Sequence, residues 1–439
     1  MANLSVNCGG IKSPNPFWLA SAPPSNSAYQ NCKAFEAGWG GTVWKTIGDP
    51  VMNISNRYGG LDKNGTKLVG LNNVELISDR PIETNLREIT ETKKLWPDRA
   101  VIVSLMVETK KETWQDIVKR AVDTGADGIE LNYGCPHGMS ERGMGAAVGQ
   151  VPEYCQMITE WVTEVSTIPV LVKLTPNVAN IQLPARAAKR AKAQGVSLIN
   201  TINSIIGVDI ETMKIKPSVG GKSGHGGYAG PAVKPIALNM LSQVAIDPEV
   251  NLPISGIGGI STWQDALEFI LLGANSVQLC TAVMHHGFRI IDDLTEGLSN
   301  WMDSKGYTSL DQVRGKALSQ VSDFGNFNLL HKVVARIDQN SCIHCNKCYI
   351  ACEDTAHQCV DLVHENGHQK TIVREADCVG CALCSIVCPV DDCIDLVRID
   401  DQKESKTWNE LMADFKNQGK QLTWENLAEF QKKHGIVIH

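Results

Sequence analysis

The chain has 439 residues, 43% of them hydrophobic and 20% charged, with a formal net charge of -7. That length allows one large domain and a small one, and the mixed charges form no basic patch of the kind that binds nucleic acid. No uninterrupted apolar run approaches about 18 residues and no basic segment leads into one, so neither a membrane span nor a signal peptide is expected, and the cytoplasm is the expected compartment.

Up to about residue 300, short apolar runs alternate with helical stretches. The predicted strands are Phe17–Ser21, Thr42–Thr46, Val101–Met106, Gly128–Asn132, Val170–Leu174, Leu198–Ile202, Pro253–Ile257 and Val277–Cys280. Runs rich in Val, Ile and Leu that do not alternate with polar residues are buried on both faces, which calls for a parallel sheet. Their number and spacing match an α/β fold, a closed (β/α)8 TIM barrel over residues 1–300. An open doubly wound sheet is the competitor, but no Gly-x-Gly-x-x-Gly follows the first strand as a nucleotide fold requires.

The strand ends are polar. Lys45-Thr46 closes the second strand, Asn132 the fourth, Lys173 the fifth and Asn200-Thr201 the sixth. A lysine ending a buried strand is costly unless it meets an anion or a strong acceptor. One such group alone reads as a satisfied structural residue; four on one rim read as a ligand site. Asn132 and Asn200 can both donate and accept, which suits a heteroaromatic ring of alternating N–H and C=O groups. The seventh strand runs into Gly258-Gly259-Ile260 and the eighth into Cys280-Thr281, each before a helix. Glycine turns and helix N-termini at that end of a barrel form a candidate phosphate cup, the plainer alternative being a tight turn.

After the fourth strand comes the loop Asn132-Tyr133-Gly134-Cys135-Pro136-His137-Gly138-Met139-Ser140-Glu141-Arg142-Gly143-Met144-Gly145. Its glycines let it bend over a ligand, and Cys135 stands at its base. A cysteine thiol, with pKa of roughly 8.5, is mostly protonated at neutral pH and can serve as a general acid without special tuning. A nucleophile would need an activating base, for which His137 is the nearby candidate; an inert thiol is the third reading. Arg142 reads as a pin for the closed loop or as a surface residue.

Residues 301–335 read as a connector. The module at 336–398 carries Cys342-x2-Cys345-x2-Cys348-x3-Cys352, repeated 36 residues on as Cys378-x2-Cys381-x2-Cys384-x3-Cys388-Pro389. This is the run of a protein with two [4Fe–4S] clusters, in which the fourth cysteine of each run ligates the other cluster. One cluster then takes Cys342, Cys345, Cys348 and Cys388, the other Cys378, Cys381, Cys384 and Cys352. Zinc needs four ligands in two pairs, and two four-cysteine runs overshoot that. A disulfide framework belongs to small secreted chains, whereas 10 of these 15 cysteines crowd into residues 342–393 of a long one. Cys359 and Cys393 lie outside the spacing and are expected to pack beside the clusters. The tail, 399–439, opens with charges at 401–406 and then reads as two short helices. The first has the capping box Thr407-Trp408-Asn409-Glu410, and the second the stripe Trp424, Leu427 and Phe430, expected to cover the chain's own surface.

One-electron carriers serve a hydride reaction only where something stores two electrons, and flavin does so. A flavin is therefore expected in the barrel, with Lys45 and Lys173 facing its N1–C2=O edge.

These motifs together resemble the catalytic subunits of bacterial NAD-dependent dihydropyrimidine dehydrogenases and the C-terminal half of the mammalian single-chain enzyme. The resemblance runs from about residue 5 to 398. It rests on Asn15-Pro16-Phe17, Gly40 through Thr46, Asn73-Val74-Glu75-Leu76-Ile77-Ser78, Asn132 through Gly145, Lys173 through Asn177, Asn200-Thr201, Gly227 through Gly230, Gly258-Gly259-Ile260 and both cysteine runs. It implies FMN and reduction of the 5,6 double bond of uracil or thymine, with hydride from N5 to C6 and a proton from Cys135 to C5. It places substrate contacts on Asn73, Glu75, Asn132, Asn200 and Thr201. Flavin contacts fall on Ala20, Ser21, Lys45, Thr46, Lys173, Gly230, Gly259, Cys280 and Thr281.

It further implies a partner subunit carrying FAD and the NAD(H) site, in a heterotetramer, because the dinucleotide fingerprint appears nowhere in this chain. One departure is Gly134, where the mammalian enzyme has serine. The alternatives are a dihydroorotate dehydrogenase-like ene-reductase and a non-catalytic electron-transfer subunit. Against the first, no positive partner for a carboxylated ring is evident beside Asn73 and Glu75. Against the second stand the Cys135 loop and the polar strand ends.

Overall fold

In the computed structural model, which describes residues 2–49, 54–136, 142–365, 367–399 and 405–434, eight strands close into a barrel. They are β1 (Phe17–Leu19), β2 (Gly41–Ile47), β3 (Ala100–Leu105), β4 (Gly128–Asn132), β5 (Val170–Lys173), β6 (Gly195–Leu198), β7 (Ile254–Ile257) and β8 (Ser276–Leu279). Every neighbouring pair is parallel, and β8 pairs with β1 to close the ring. All residues of these strands are buried, as a sheet covered on both faces requires.

Alternate residues divide between two cores. Val101, Val103, Ile129, Leu131, Val172 and Val196 join the large shell core beneath the helices. The helix Lys111–Asp123 shows why such segments are helical: it buries Trp114, Ile117, Val118 and Ala121, the one-face spacing of an amphipathic helix. At the other face, Trp18, Val43, Ala100, Ile102 and Leu171 meet Cys8 and Ile11 in a separate apolar cluster. Cys8 and Ile11 belong to an antiparallel hairpin, Val6–Cys8 with Ile11–Ser13. Further along the strands the inner positions become polar, with Lys45, Ser104, Glu130, Asn132, Lys173 and Gln278 all buried. The barrel interior is thus apolar at the strand starts and polar at their C-terminal ends.

Two features differ from the sequence reading. The sixth strand is Gly195–Leu198 rather than Leu198–Ile202; Ile202–Ser204 forms a separate strand. Apolar Ile199 and Ile202 mimic a continuing strand, but the chain has already turned toward the barrel mouth, carrying Asn200 and Thr201 with it. Secondly, a four-stranded antiparallel sheet was not foreseen. Its order is Ile202–Ser204, Gly226–Ala229, Thr66–Asn73 and Tyr58–Lys63. These segments are short and rich in glycine and polar residues, so they lack a strand's apolar signature.

The chain divides into two compact units, Met1–Val321 and Ser322–His439, a division inside the stretch expected as connector. In the second unit, Val333–Ile337 pairs antiparallel with Ile394–Arg398, and Val360–Glu365 with His368–Val373. Positive φ angles at His344 and Asn346 recur at Gly380 and Ala382, so the two cysteine loops repeat residue for residue. The tail forms helices Trp408–Asn417 and Trp424–Lys433; the first has the Thr407–Glu410 capping box and buries Leu411 and Phe415. The second stripe is less covered than expected, for Trp424 is 84% exposed while Leu427 and Phe430 are half-buried. Residues 401–404 lie outside the described residues.

Candidate active site

A cavity of about 1110 Å³, its open mouth included, lies at the polar ends of the strands. All sixteen barrel residues singled out in the sequence line it. Ala20 and Ser21 follow β1, Lys45 and Thr46 lie in β2, Asn132 ends β4, Cys135 follows it, and Lys173 ends β5. Asn200 and Thr201 come after β6, Gly258 and Gly259 after β7, and Cys280 and Thr281 after β8. Asn73, Glu75 and Gly230 are delivered by the antiparallel sheet and its flanks.

A chain of hydrogen bonds fixes the rim. Asn200 Nδ2 donates to Asn132 Oδ1 at 2.9 Å, and Asn132 Nδ2 donates to Thr46 Oγ1 at 2.9 Å. The Thr46 hydroxyl also lies 2.9 Å from the hydroxyls of Ser21 and Ser104. Such a network holds each amide in one orientation before any ligand arrives. Asn73 Nδ2 is tied to the Gly227 carbonyl at 3.1 Å.

Glu75 is the electrostatic centre of the sheet side. Its Oε1 accepts from Lys45 Nζ at 2.5 Å and lies 3.2 Å from Arg57 Nε, while its Oε2 accepts from the Tyr58 hydroxyl at 3.0 Å. Burial pushes the Tyr58 phenol up to about 12, against the opposing effect of Arg57, so it remains a neutral donor. The expectation that no cation stands beside Asn73 and Glu75 is therefore corrected: Lys45 and Arg57 both reach Glu75. Arg57 and Tyr58 were missed, and no spacing signal could have found them, because the register of the sheet brings them there.

Cys135 is 6% exposed, packs against Ile77, Met106 and Met144, and its thiol donates to the Leu76 carbonyl at 3.4 Å. The other thiol of the cavity, Cys280, is pushed up to about 11 by burial, partly opposed by Lys173, and stays neutral. His137 lies outside the described residues. Arg142 does reach across the loop, with Nη2 3.3 Å from Glu108 Oε2 and Nη1 donating to the Asp49 carbonyl at 3.4 Å. Gly134 has a steric reason: a Cβ there would stand 2.4 Å from the Asn200 Cβ.

The donor set fits a flavin. Two buried lysines, a hydrogen-bonded pair of amides and a glycine cradle meet in one cavity. At Gly259 φ is +75°, and a Cβ would stand 2.7 Å from the Lys234 nitrogen and 3.0 Å from the Gly230 carbonyl oxygen. The helix Trp263–Leu271 follows, its N-terminus closed by Thr262 and by Asp265, whose Oδ2 accepts from the Ser261 and Thr262 N–H groups at 2.9 Å.

In the second unit, two cavities of about 360 and 320 Å³ each gather cysteines from both runs. Cys378, Cys381, Cys384 and Cys352 line one, with Cys359 beside them; Cys342, Cys345, Cys348 and Cys388 line the other, with Cys393. Cys359 Sγ lies 3.6 Å from Cys352 Sγ. Among the described residues no three His, Cys, Asp or Glu side chains converge at the distance of a single metal ion; thiolates around a cube stand farther apart.

Fold and sites together define a redox barrel with a flavin-type cavity, joined in one chain to an iron–sulfur module. Comparison with known proteins gives the class a family. Residues 3–302 match the dihydroorotate dehydrogenase family and residues 335–396 the 4Fe-4S dicluster domain. Over 412 residues the chain is 40% identical to the NAD-dependent dihydropyrimidine dehydrogenase subunit PreA of Escherichia coli (strain K12), covering 92% of this chain and 98% of that one. It is 38% identical over 316 residues to the catalytic subunit of dihydroorotate dehydrogenase B (NAD(+)) of Pyrococcus abyssi, covering 72% of this chain and 99% of that one. A crystal structure of DHODH from Eimeria tenella in complex with ferulenol shares the fold, with TM-score 0.60 and 18% identity over 71% of this chain and 88% of that one. The chain belongs to the dihydroorotate dehydrogenase family and, matched across both units, to that of the NAD-dependent dihydropyrimidine dehydrogenase subunits. Among the described residues no helix is long and apolar enough to cross a membrane.

Proposed function

We propose that this chain is the catalytic subunit that reduces the 5,6 double bond of uracil or thymine. The observation that carries the reading is the meeting of Cys135 with Asn73, Glu75, Asn132, Asn200 and Thr201 in the cavity that also holds the glycine cradle. When bound, FMN supplies the hydride that the ring receives at C6. Gly258, Gly259, Cys280 and Thr281 hold its phosphate, with Ala20, Ser21, Thr46 and Gly230 alongside and Lys45 and Lys173 toward its ring. Asn132 and Asn200, bonded to each other, and Asn73, tied to the Gly227 carbonyl, present amide donors and acceptors to the C=O and N–H groups of the pyrimidine. Glu75 accepts from a ring N–H, and its charge is balanced by Lys45 and Arg57. Cys135 gives its proton to C5.

The paired cavities suit two [4Fe–4S] clusters, cross-ligated as the spacing implies, which would carry electrons singly. With no dinucleotide fingerprint in the chain, NAD(H) and FAD are assigned to a second subunit, in a heterotetramer. The 40% identical relative is itself named a subunit.

The second reading, dihydroorotate oxidation, is favoured by the 38% identical relative and by the two cations at Glu75. Both cations already face a carboxylate, which repels a second one. The deciding experiment is reduction of uracil, thymine and orotate, first with an artificial donor and then with NADH or NADPH and the native partner. Uracil and thymine should turn over, orotate should not, and the isolated chain should ignore NADH. A clear preference for orotate, or vigorous NADH-driven turnover by the chain alone, would overturn the proposal.

A further inference from the structure

Glu130 is the fully buried carboxylate inside the barrel that none of the roles above uses. It lies on β4 two residues before Asn132 and is 0% exposed. Its Oε2 accepts from Ser197 Oγ at 2.6 Å and from Gln278 Nε2 at 3.1 Å. Its Oε1 has no hydrogen-bond partner and stands 3.6 Å from Lys173 Nζ. A buried charge persists only when something compensates it. The two lysines of the cavity are compensated differently. Lys45 is held by Glu75 at 2.5 Å, within a hydrogen bond. Lys173, 5% exposed, faces Glu130 at a distance that supplies charge without a direct hydrogen bond, leaving its N–H groups for a ligand.

We propose that Glu130 sets how much positive charge Lys173 presents to the flavin, and through it the flavin's reduction potential. Glu130 is a positioning residue, since it acts through Lys173. The inference rests on the flavin reading of the cavity. Two-electron reduction leaves negative charge at the N1–C2=O edge of a flavin, and a lysine with a carboxylate behind it stabilises that charge less than a lone one. The neutral donors Ser197 and Gln278 draw part of the carboxylate's charge toward Oε2 and so moderate the effect.

The test is the potential of the bound flavin in the purified full-length chain, measured by dye equilibration, which a merely structural role would not move. Glu130→Gln keeps the shape and removes the charge. It should shift the redox equilibrium at least tenfold toward reduced flavin, about 30 mV upward for a two-electron couple. Lys173→Met should shift it the other way. The double variant should match Lys173→Met alone, because removing Glu130 has nothing left to act on once the lysine is gone. Ser197→Ala, which strips a donor from Oε2, should lower the potential by a smaller amount. If Glu130→Gln fails to fold, Ser197→Ala decides alone. A bound flavin whose redox equilibrium moves less than threefold in the available variants, or purely additive single and double shifts, would overturn the proposal. A parent chain that takes up no flavin would overturn the flavin reading itself.

Discussion

The barrel cavity and the cysteine module both hold a redox group, yet they are built in opposite order. The cavity draws its lining from Ala20 to Met284, and its frame is a large apolar shell drawn from the whole barrel. The module takes all its candidate ligands from residues 342–388, and three of them are part of its core: Cys348 and Cys384 pack with Cys393, Ala335 and Ile394, and Cys352 with Cys359 and Val360. Where a core is the ligand set, the inorganic group contributes to folding; where the core is separate, the cofactor is added to a finished fold.

The strongest way to break this contrast is to remove iron. Hydrogen exchange of chelated protein should show residues 333–398 losing protection by several orders of magnitude while the barrel strands keep theirs. Equal loss in both units would refute it. Next in size, Cys135→Ala should keep its flavin reducible yet form product roughly 10²-fold or more slowly, the usual loss for a general acid; near-normal turnover would remove Cys135 from the chemistry. Cys352→Ser and Cys378→Ser should extinguish the same cluster signal in electron paramagnetic resonance and Cys388→Ser the other one, at unchanged flavin content. Different signals lost from Cys352 and Cys378 would refute the crossed ligation.

Smaller effects belong to the barrel rim. Gly259→Ala adds a Cβ at φ +75° against the Lys234 backbone, and about 1–2 kcal/mol of strain should weaken flavin binding roughly tenfold in a titration. Smallest, Thr262→Ala removes the cap of the helix behind that cradle and should cost about 1 kcal/mol in thermal unfolding, with turnover little changed.

The same contrast explains what could be read in advance. Cluster ligands follow one another in sequence, so their spacing is the geometry. Lys45, Asn132 and Lys173 were legible because a polar residue is conspicuous at the end of a buried strand. Asn73 and Glu75 came only through the family resemblance, and Arg57 and Tyr58 not at all. They meet through the pairing of Tyr58 with Asn73, in a glycine-rich sheet without an apolar rhythm. Glu130 sat in view on the fourth strand. Its meaning depends on which strand neighbours which around the ring, and that is known only once the barrel closes.

Gly134 and Asn200 carry a consequence for how such a site can change over generations. With only 2.4 Å between a Cβ at 134 and that of Asn200, any side chain at 134 has to push the segment of Asn200 aside. A serine there moves the amide that holds Asn132 while leaving its residue type unchanged. The mark of a glycine-to-serine change in this loop is therefore a displaced neighbour on another strand end, which a comparison of sequences does not reveal.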